Sequence, residues 1–217
     1  MISKRIGIIY AKCELIIESN LIFTCNIAKR IFIMTIIETK FPGLLIIEPT
    51  VFADSRGYFF ESFNQKHFDA KGLKYEWVQE NESMSNKGVV RGLHYQLVPF
   101  AQTKLVRVVA GVVIDVVVDI RKGSPTFGQK FEILLSAENK KQLLIPRGFA
   151  HGFSVLEDHS VFSYKCDAFY QKESERGINP FEPYLNIDWQ IAKENAIVSD
   201  KDLASPLFVD ADYNFQY

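Results

Sequence analysis

The sequence predicts an all-β fold, a sandwich or barrel. From Leu44 onward, short runs rich in Val, Ile, Phe and Tyr follow one another. Turn residues separate them, notably Gly111, Gly123-Ser124-Pro125 and Pro146-Arg147-Gly148. Helix-period segments are few, and regular short strands between Gly- and Pro-rich turns are the signature of a closed or double-layered sheet.

In chain order the expected strands are Leu44 to Ile47, Gly57 to Phe63, Tyr75 to Gln79, Val89 to Gln96 and Lys104 to Val109. Val112 to Ile120, Lys130 to Ser136, Gln142 to Ile145, Gly152 to Leu156 and Ser160 to Phe169 complete the set. Asn64 is placed to cap a short helix over Gln65 to Lys71, and another turn or two of helix is expected after Trp189. No repeat or linker divides 34–217, so one domain is expected there.

The first 33 residues differ. Lys4, Arg5, Lys12, Lys29 and Arg30 stand against Glu14 and Glu18, a net +3, and the apolar runs are short and broken. That is not the pattern of a signal peptide. Met34 leads straight into the patterned region, so Met34 is read as the natural start and 1–33 as an upstream mis-start or dispensable extension; a poorly ordered tail is the alternative.

Composition narrows the function. Of 217 residues, 47% are hydrophobic and 24% charged, with 25 Lys plus Arg against 26 Asp plus Glu. A net charge of −1 excludes a bulk electrostatic binder of nucleic acid and leaves room for one basic pocket. Three cysteines without a C-x-x-C pair argue against a disulfide framework or a zinc site and suit a reducing cytoplasm. No run of about 18 apolar residues suggests a membrane span.

Period-two alternation sorts the candidates by face. Lys104 shares a face with Val106 and Val108, where an ammonium is costly unless a ligand or carboxylate meets it. Tyr164 shares one with Phe162 and Cys166, so its hydroxyl points inward and needs a partner. Asp115 and Asp119 share a face with Val113 and Val117 and read as structural partners for buried Lys or backbone groups. Polar groups converging in an apolar barrel mark a ligand cavity. Metal-binding barrels commonly carry His-x-His, a Glu and a distant His. Here His94 is followed by Tyr95 and Gln96, so His94 and His151 fall short of a ligand set and no metal is expected. His67 and His159 read as solvated, Glu138 and Lys140 as a turn, and Cys166 as an inert core residue.

One spacing is awkward. Arg91 and His94 are three residues apart and would face opposite ways on a flat strand. A bulge at Gly92 would realign them; otherwise Arg91 reaches around the barrel rim.

Several motifs occur in order: Asp54-Ser55-Arg56-Gly57-Tyr58-Phe59-Phe60-Glu61, Arg91-Gly92-Leu93-His94-Tyr95-Gln96, Gln102-Thr103-Lys104-Leu105-Val106-Arg107 and Asp119-Ile120-Arg121-Lys122-Gly123-Ser124-Pro125. They continue with Ile145-Pro146-Arg147-Gly148-Phe149-Ala150-His151-Gly152-Phe153, Tyr164-Lys165-Cys166 and Ser199-Asp200-Lys201-Asp202. From about Phe41 to Pro206 the chain resembles the dTDP-4-dehydrorhamnose 3,5-epimerase family. The resemblance implies a cupin-like jelly roll, a homodimer with strands crossing between subunits, and no cofactor. The implied reaction inverts C3 and C5 of dTDP-4-dehydro-6-deoxy-D-glucose.

By the same resemblance His94 is the base, Asp202 its partner, Lys104 the cation at the ketone oxygen and Tyr164 the acid. Arg56 and Arg91 resemble diphosphate or sugar contacts. Glu61, Gln79, Glu80 and Asn81 resemble contacts around the thymine and deoxyribose, some from a neighbouring subunit. His151, Glu175 and Lys201 match further substrate positions, and Tyr170 an aromatic stacking on the base. Departures lie at Phe169 and at Asn179-Pro180-Phe181, where a Trp is common. A mono-epimerase, or a non-catalytic sugar-nucleotide or metal-binding cupin, is the rival reading.

Overall fold

The computed structural model describes residues 34–217, so the expectation for 1–33 lies outside the described residues. The strands are β1 (Thr35–Glu38), β2 (Leu45–Glu48), β3 (Phe52–Asp54), β4 (Gly57–Phe59), β5 (Gln79–Ser85), β6 (Val90–Gln96) and β7 (Lys104–Ala110). There follow β8 (Val112–Asp119), β9 (Lys130–Ser136), β10 (Gln142–Ile145), β11 (Phe149–Val155), β12 (Ser160–Cys166) and β13 (Glu175–Gly177). Two short α-helices join them, α1 (Gln65–Ala70) and α2 (Asp200–Leu203).

Two antiparallel sheets form, in the orders β1-β2-β10-β7-β12-β5 and β13-β6-β11-β8-β9, with β3 and β4 as a separate hairpin. From β5 onward, apart from the β8–β9 hairpin, the chain steps back and forth between the two sheets, the jelly-roll way of packing an all-β chain. The fold is all-β and cupin-like, as expected.

Alternation along β8 shows how the layers are made. Val113 and Val117 turn inward and meet Val106, Val108, Phe149, Phe153 and Phe162 between the sheets. Ile114, Val116 and Val118 turn outward onto a second cluster built from Ile178, Leu185, Trp189, Phe208 and Phe215. The C-terminal segment therefore caps the outer face of the five-stranded sheet, which is why β8 is apolar on both faces. A third cluster seats Phe68 of α1 against Ile47, Leu105 and Leu144 on the outside of the other sheet. The Asn64 side chain accepts from Lys66 N and caps α1, as its position suggested.

Strands β1, β3 and β13 were not expected, and several boundaries differ from expectation. Tyr75 to Val78 is not strand: Tyr75 and Trp77 pack as aromatics into the third cluster, and pairing starts at Gln79. The strand from Gly57 ends at Phe59, and the one from Ser160 at Cys166, where Asp167 turns to accept from Thr103 N at 2.6 Å. β11 begins at Phe149, before Gly152, because Phe149 and Ala150 continue the pairing with Asp119 and Val118.

Candidate active site

The two sheets leave a cavity between them, lined by Asn81, Arg91, His94, Lys104, His151, Phe153, Phe162 and Tyr164 among others. Its volume is about 160 Å³. The polar side chains divide by sheet. His94 on β6 and His151 on β11 come from the five-stranded sheet, and Lys104 on β7, Tyr164 on β12 and Asn81 on β5 come from the other. Stacked Phe153 and Phe162, with ring centroids 4.2 Å apart, form an apolar floor.

Gly92 resolves the awkward spacing. On β6 Arg91 and His94 are three positions apart, whereas their partners on β11, Phe153 and His151, are two apart, so β6 carries the extra residue of a bulge. Gly92 has φ +113°, and a Cβ there would lie 2.6 Å from Gly152 Cα and 2.7 Å from the His151 carbonyl oxygen. Only glycine fits. The bulge brings Arg91 and His94 to the same cavity, and Gly92 N–H, free of the ladder, donates to Asp202 Oδ2 at 3.1 Å.

Asp202 sits on α2, whose N-cap Ser199 Oγ accepts from Asp202 N at 3.1 Å. Its Oδ1 lies 2.7 Å from His94 Nε2. Burial pushes the Asp202 carboxyl up, but hydrogen bonds from His94 and Gly92, with the His94 charge, outweigh it and hold it below its usual range. The anion fixes Nε2 of His94 as the N–H end, leaving Nδ1 to carry the lone pair.

A second imidazole–carboxylate pair lies alongside: His151 Nε2 is 2.8 Å from Asp115 Oδ2. Asp115, expected as a structural partner for buried Lys or backbone groups, instead meets a histidine in the site. The signal was the inward face shared with Val117, directly opposite His151. Asp115 Oδ1 is buried without a hydrogen-bond partner among the described residues. Asp119 does have the structural role, holding Arg121, Ser124 and Thr126 at 2.6–2.9 Å.

On the facing sheet, burial pushes the Lys104 ammonium down, opposed by Cys166, Asp115 and Glu175. Its Nζ stands 5.8 Å from the Tyr164 ring centroid. Burial raises the Tyr164 phenol and keeps it protonated. Cys166 is buried, its thiol pushed up to about 11 by burial, in keeping with an inert core residue.

Glu175, whose charge acts on Lys104 and Tyr164, lies 2.7 Å through Oε1 from Lys201 Nζ, and Tyr170 Oη donates to its Oε2 at 2.8 Å. Tyr170 N donates to Gln79 Oε1 at 2.9 Å. Three expected contacts stand apart. Glu80 points to the other face of β5, as alternation requires between Gln79 and Asn81, and pairs with Lys165 at 2.6 Å. Glu61 accepts from Asn64 at 2.9 Å beside His67. Arg56 projects from the β3–β4 hairpin, its side chain 88% exposed and paired with Asp54. Within one chain neither Glu61 nor Arg56 lines the cavity. Among the described residues no three His, Cys, Asp or Glu side chains gather to hold a metal ion, and no helix is long and apolar enough to cross a membrane.

A family model described as dTDP-4-dehydrorhamnose 3,5-epimerase matches residues 38–210. The chain belongs to that family. It is 58% identical over 181 residues to the dTDP-4-dehydrorhamnose 3,5-epimerase of Shigella flexneri, covering 83% of this chain and 99% of the relative. The crystal structure of the Elizabethkingia anophelis epimerase superposes with a TM-score of 0.78 at 50% identity, covering 82% of this chain and 97% of that one. A Legionella pneumophila 3,5-epimerase, solved in complex with dTDP-4-keto-L-rhamnose, gives a TM-score of 0.79 at 49% identity, covering 83% and 95%.

Proposed function

We propose that the protein epimerises C3 and C5 of dTDP-4-dehydro-6-deoxy-D-glucose to give dTDP-4-dehydro-L-rhamnose, using side chains alone. One observation carries this: a carboxylate-held imidazole on one sheet faces a phenol and an ammonium on the other, across one cavity. Inversion at carbon needs a base on one side and an acid on the opposite side, and this division supplies both.

C3 and C5 both flank the C4 ketone, so the same carbonyl acidifies both C–H bonds. His94 Nδ1 takes the proton, and the electron pair of the broken C–H bond moves onto the C4 oxygen. Lys104 stabilises that developing charge in a site shielded from water, where a fixed cation is worth far more than in bulk. The enolate then collapses, taking a proton from Tyr164 on its other side. The phenolate regains a proton from solvent and the imidazolium releases one, so the cycle closes without net change. A positioned base of this kind contributes about 10²–10⁴-fold.

The cavity is smaller than the ~300–1,000 Å³ of a site that encloses a whole ligand, so the keto-sugar enters it and the nucleotide lies across the mouth. Arg91 there suits a diphosphate oxygen. Tyr170, Glu175, Lys201 and Gln79 frame the nucleotide. We assign Arg56 and Glu61 to the site of a second copy in a cytoplasmic homodimer: the β3–β4 hairpin projects Arg56 with exposed Tyr58 and Phe59, as an arm reaching a neighbour would. Residues 34–217 act as one domain. Incubation with dTDP-4-dehydro-6-deoxy-D-glucose should yield a product inverted at both carbons by NMR; inversion at one carbon alone would replace this reading with a mono-epimerase.

A further inference from the structure

We propose that Gln79 and Asn81 are positioning residues for the proton donor Tyr164, forming a one-way line of hydrogen-bond donors that ends on its phenol oxygen. The kinetic consequence rests on the epimerase reading; the physical coupling does not.

Asn81 on β5 is the direct cross-strand partner of Tyr164 on β12, and both line the cavity. Gln79, two residues along, shares that face. The direction of the line is set at its far end. Tyr170 N–H donates to Gln79 Oε1 at 2.9 Å, which uses the acceptor end of that amide. Gln79 Nε2 then donates to Asn81 Oδ1 at 3.0 Å. With Oδ1 turned to Gln79, the Nδ2–H₂ end of Asn81 is the end that faces the side chain opposite. Asn81 stands directly across the strand pair from Tyr164, and its side chain favours the ionised phenol.

The consequence lies in timing. A donor to the phenol oxygen does little for the protonated phenol and much for the phenolate, because hydrogen bonds to charged acceptors are about twice as strong as neutral ones. The line therefore acts as Tyr164 releases its proton. Other groups around the phenol pull both ways: burial, Cys166 on its own strand and Glu175 on β13 oppose ionisation, while Arg91 on β6 favours it. The Lys104 ammonium stands over the ring from β7. Of these, Asn81 alone is a neutral donor held in a fixed orientation by other side chains. A carboxylate at this position would accept from the phenol and hold its proton back.

The test is an ultraviolet titration of tyrosinate in the full chain, with the Tyr164→Phe protein subtracted to isolate Tyr164. Asn81→Ala should lower the Tyr164 ionisation constant about tenfold, and Asn81→Asp should lower it further. Gln79→Ala should move it the same way by less, and it keeps the question answerable if Asn81 variants fold poorly. With substrate in heavy water, both alanine variants should lose inversion more than they lose solvent exchange. An unchanged Tyr164 titration in both alanine variants overturns the proposal, even if the wild type epimerises. A shifted titration in a protein that leaves the substrate untouched would instead sustain the coupling and remove the epimerase reading.

Discussion

His94 and His151 lie directly opposite each other across the β6–β11 pair, and each presents its Nε2 to a different buried aspartate, Asp202 and Asp115. Neighbouring imidazoles are thus held by independent carboxylates. The pairing fixes both rings without a metal ion, and it puts the two dyads on one wall of the cavity.

Replacing His94 by Ala should stop exchange at both carbons while leaving dTDP binding nearly intact. Isothermal titration with dTDP and NMR of the substrate in heavy water check this. Full activity in the variant would remove His94 as the base.

Asp202→Asn should cut turnover by about 10²–10⁴-fold, because the amide no longer fixes the imidazole or stabilises its charged form. Stability should follow pH with a defined sign. The folded Asp202 carboxyl lies below its ordinary value of 3.8, so it contributes stability above that pH and loses it as pH falls through the folded value. Urea unfolding should separate wild type from variant near pH 7, with the gap closing toward pH 3. A gap that widens on acidification would contradict this.

Gly92→Ala should destabilise the protein by about 2–4 kcal/mol and disturb the His94–Asp202 pair, since the methyl would enter the backbone of Gly152 and His151 at a positive φ. Denaturant midpoints measure the first effect and the His94 side-chain NMR shift the second. An alanine accepted with neither change would show that the bulge is not required.

Lys104→Met should lower turnover by about 10²–10³-fold without lowering stability. Burial already disfavours the ammonium in the folded state, so a neutral side chain of similar length removes a desolvation cost. At neutral pH the variant's melting temperature should equal or exceed that of wild type. A fall of several degrees would mean that Lys104 holds the fold as well.

The residues made some of this legible. Lys130–Ser136 and Gln142–Ile145 could be read to the residue because apolar runs stop at clear turns on both sides. The bulge at Gly92 was legible as a conflict between spacing and face. Strand β5 was not, because Gln79–Ser85 has no β-branched or aromatic residue: one face lines a polar cavity and the other meets solvent at a sheet edge. The same alternation turns Glu80 away from the site. The Asp115–His151 pair was hidden for another reason. A strand's own sequence gives the side on which Asp115 points, but the group waiting there comes from a strand 36 residues later.

In the proposed mechanism His94 and Tyr164 work from opposite walls. Deuterium incorporation and product configuration, followed together by NMR in heavy water for wild type, His94→Ala and Tyr164→Phe, test it most directly. Exchange and inversion at C3 and C5 are expected in wild type, neither in His94→Ala, and exchange that outlasts inversion in Tyr164→Phe. Equal loss of exchange and inversion in Tyr164→Phe, or unimpaired inversion there, would contradict it.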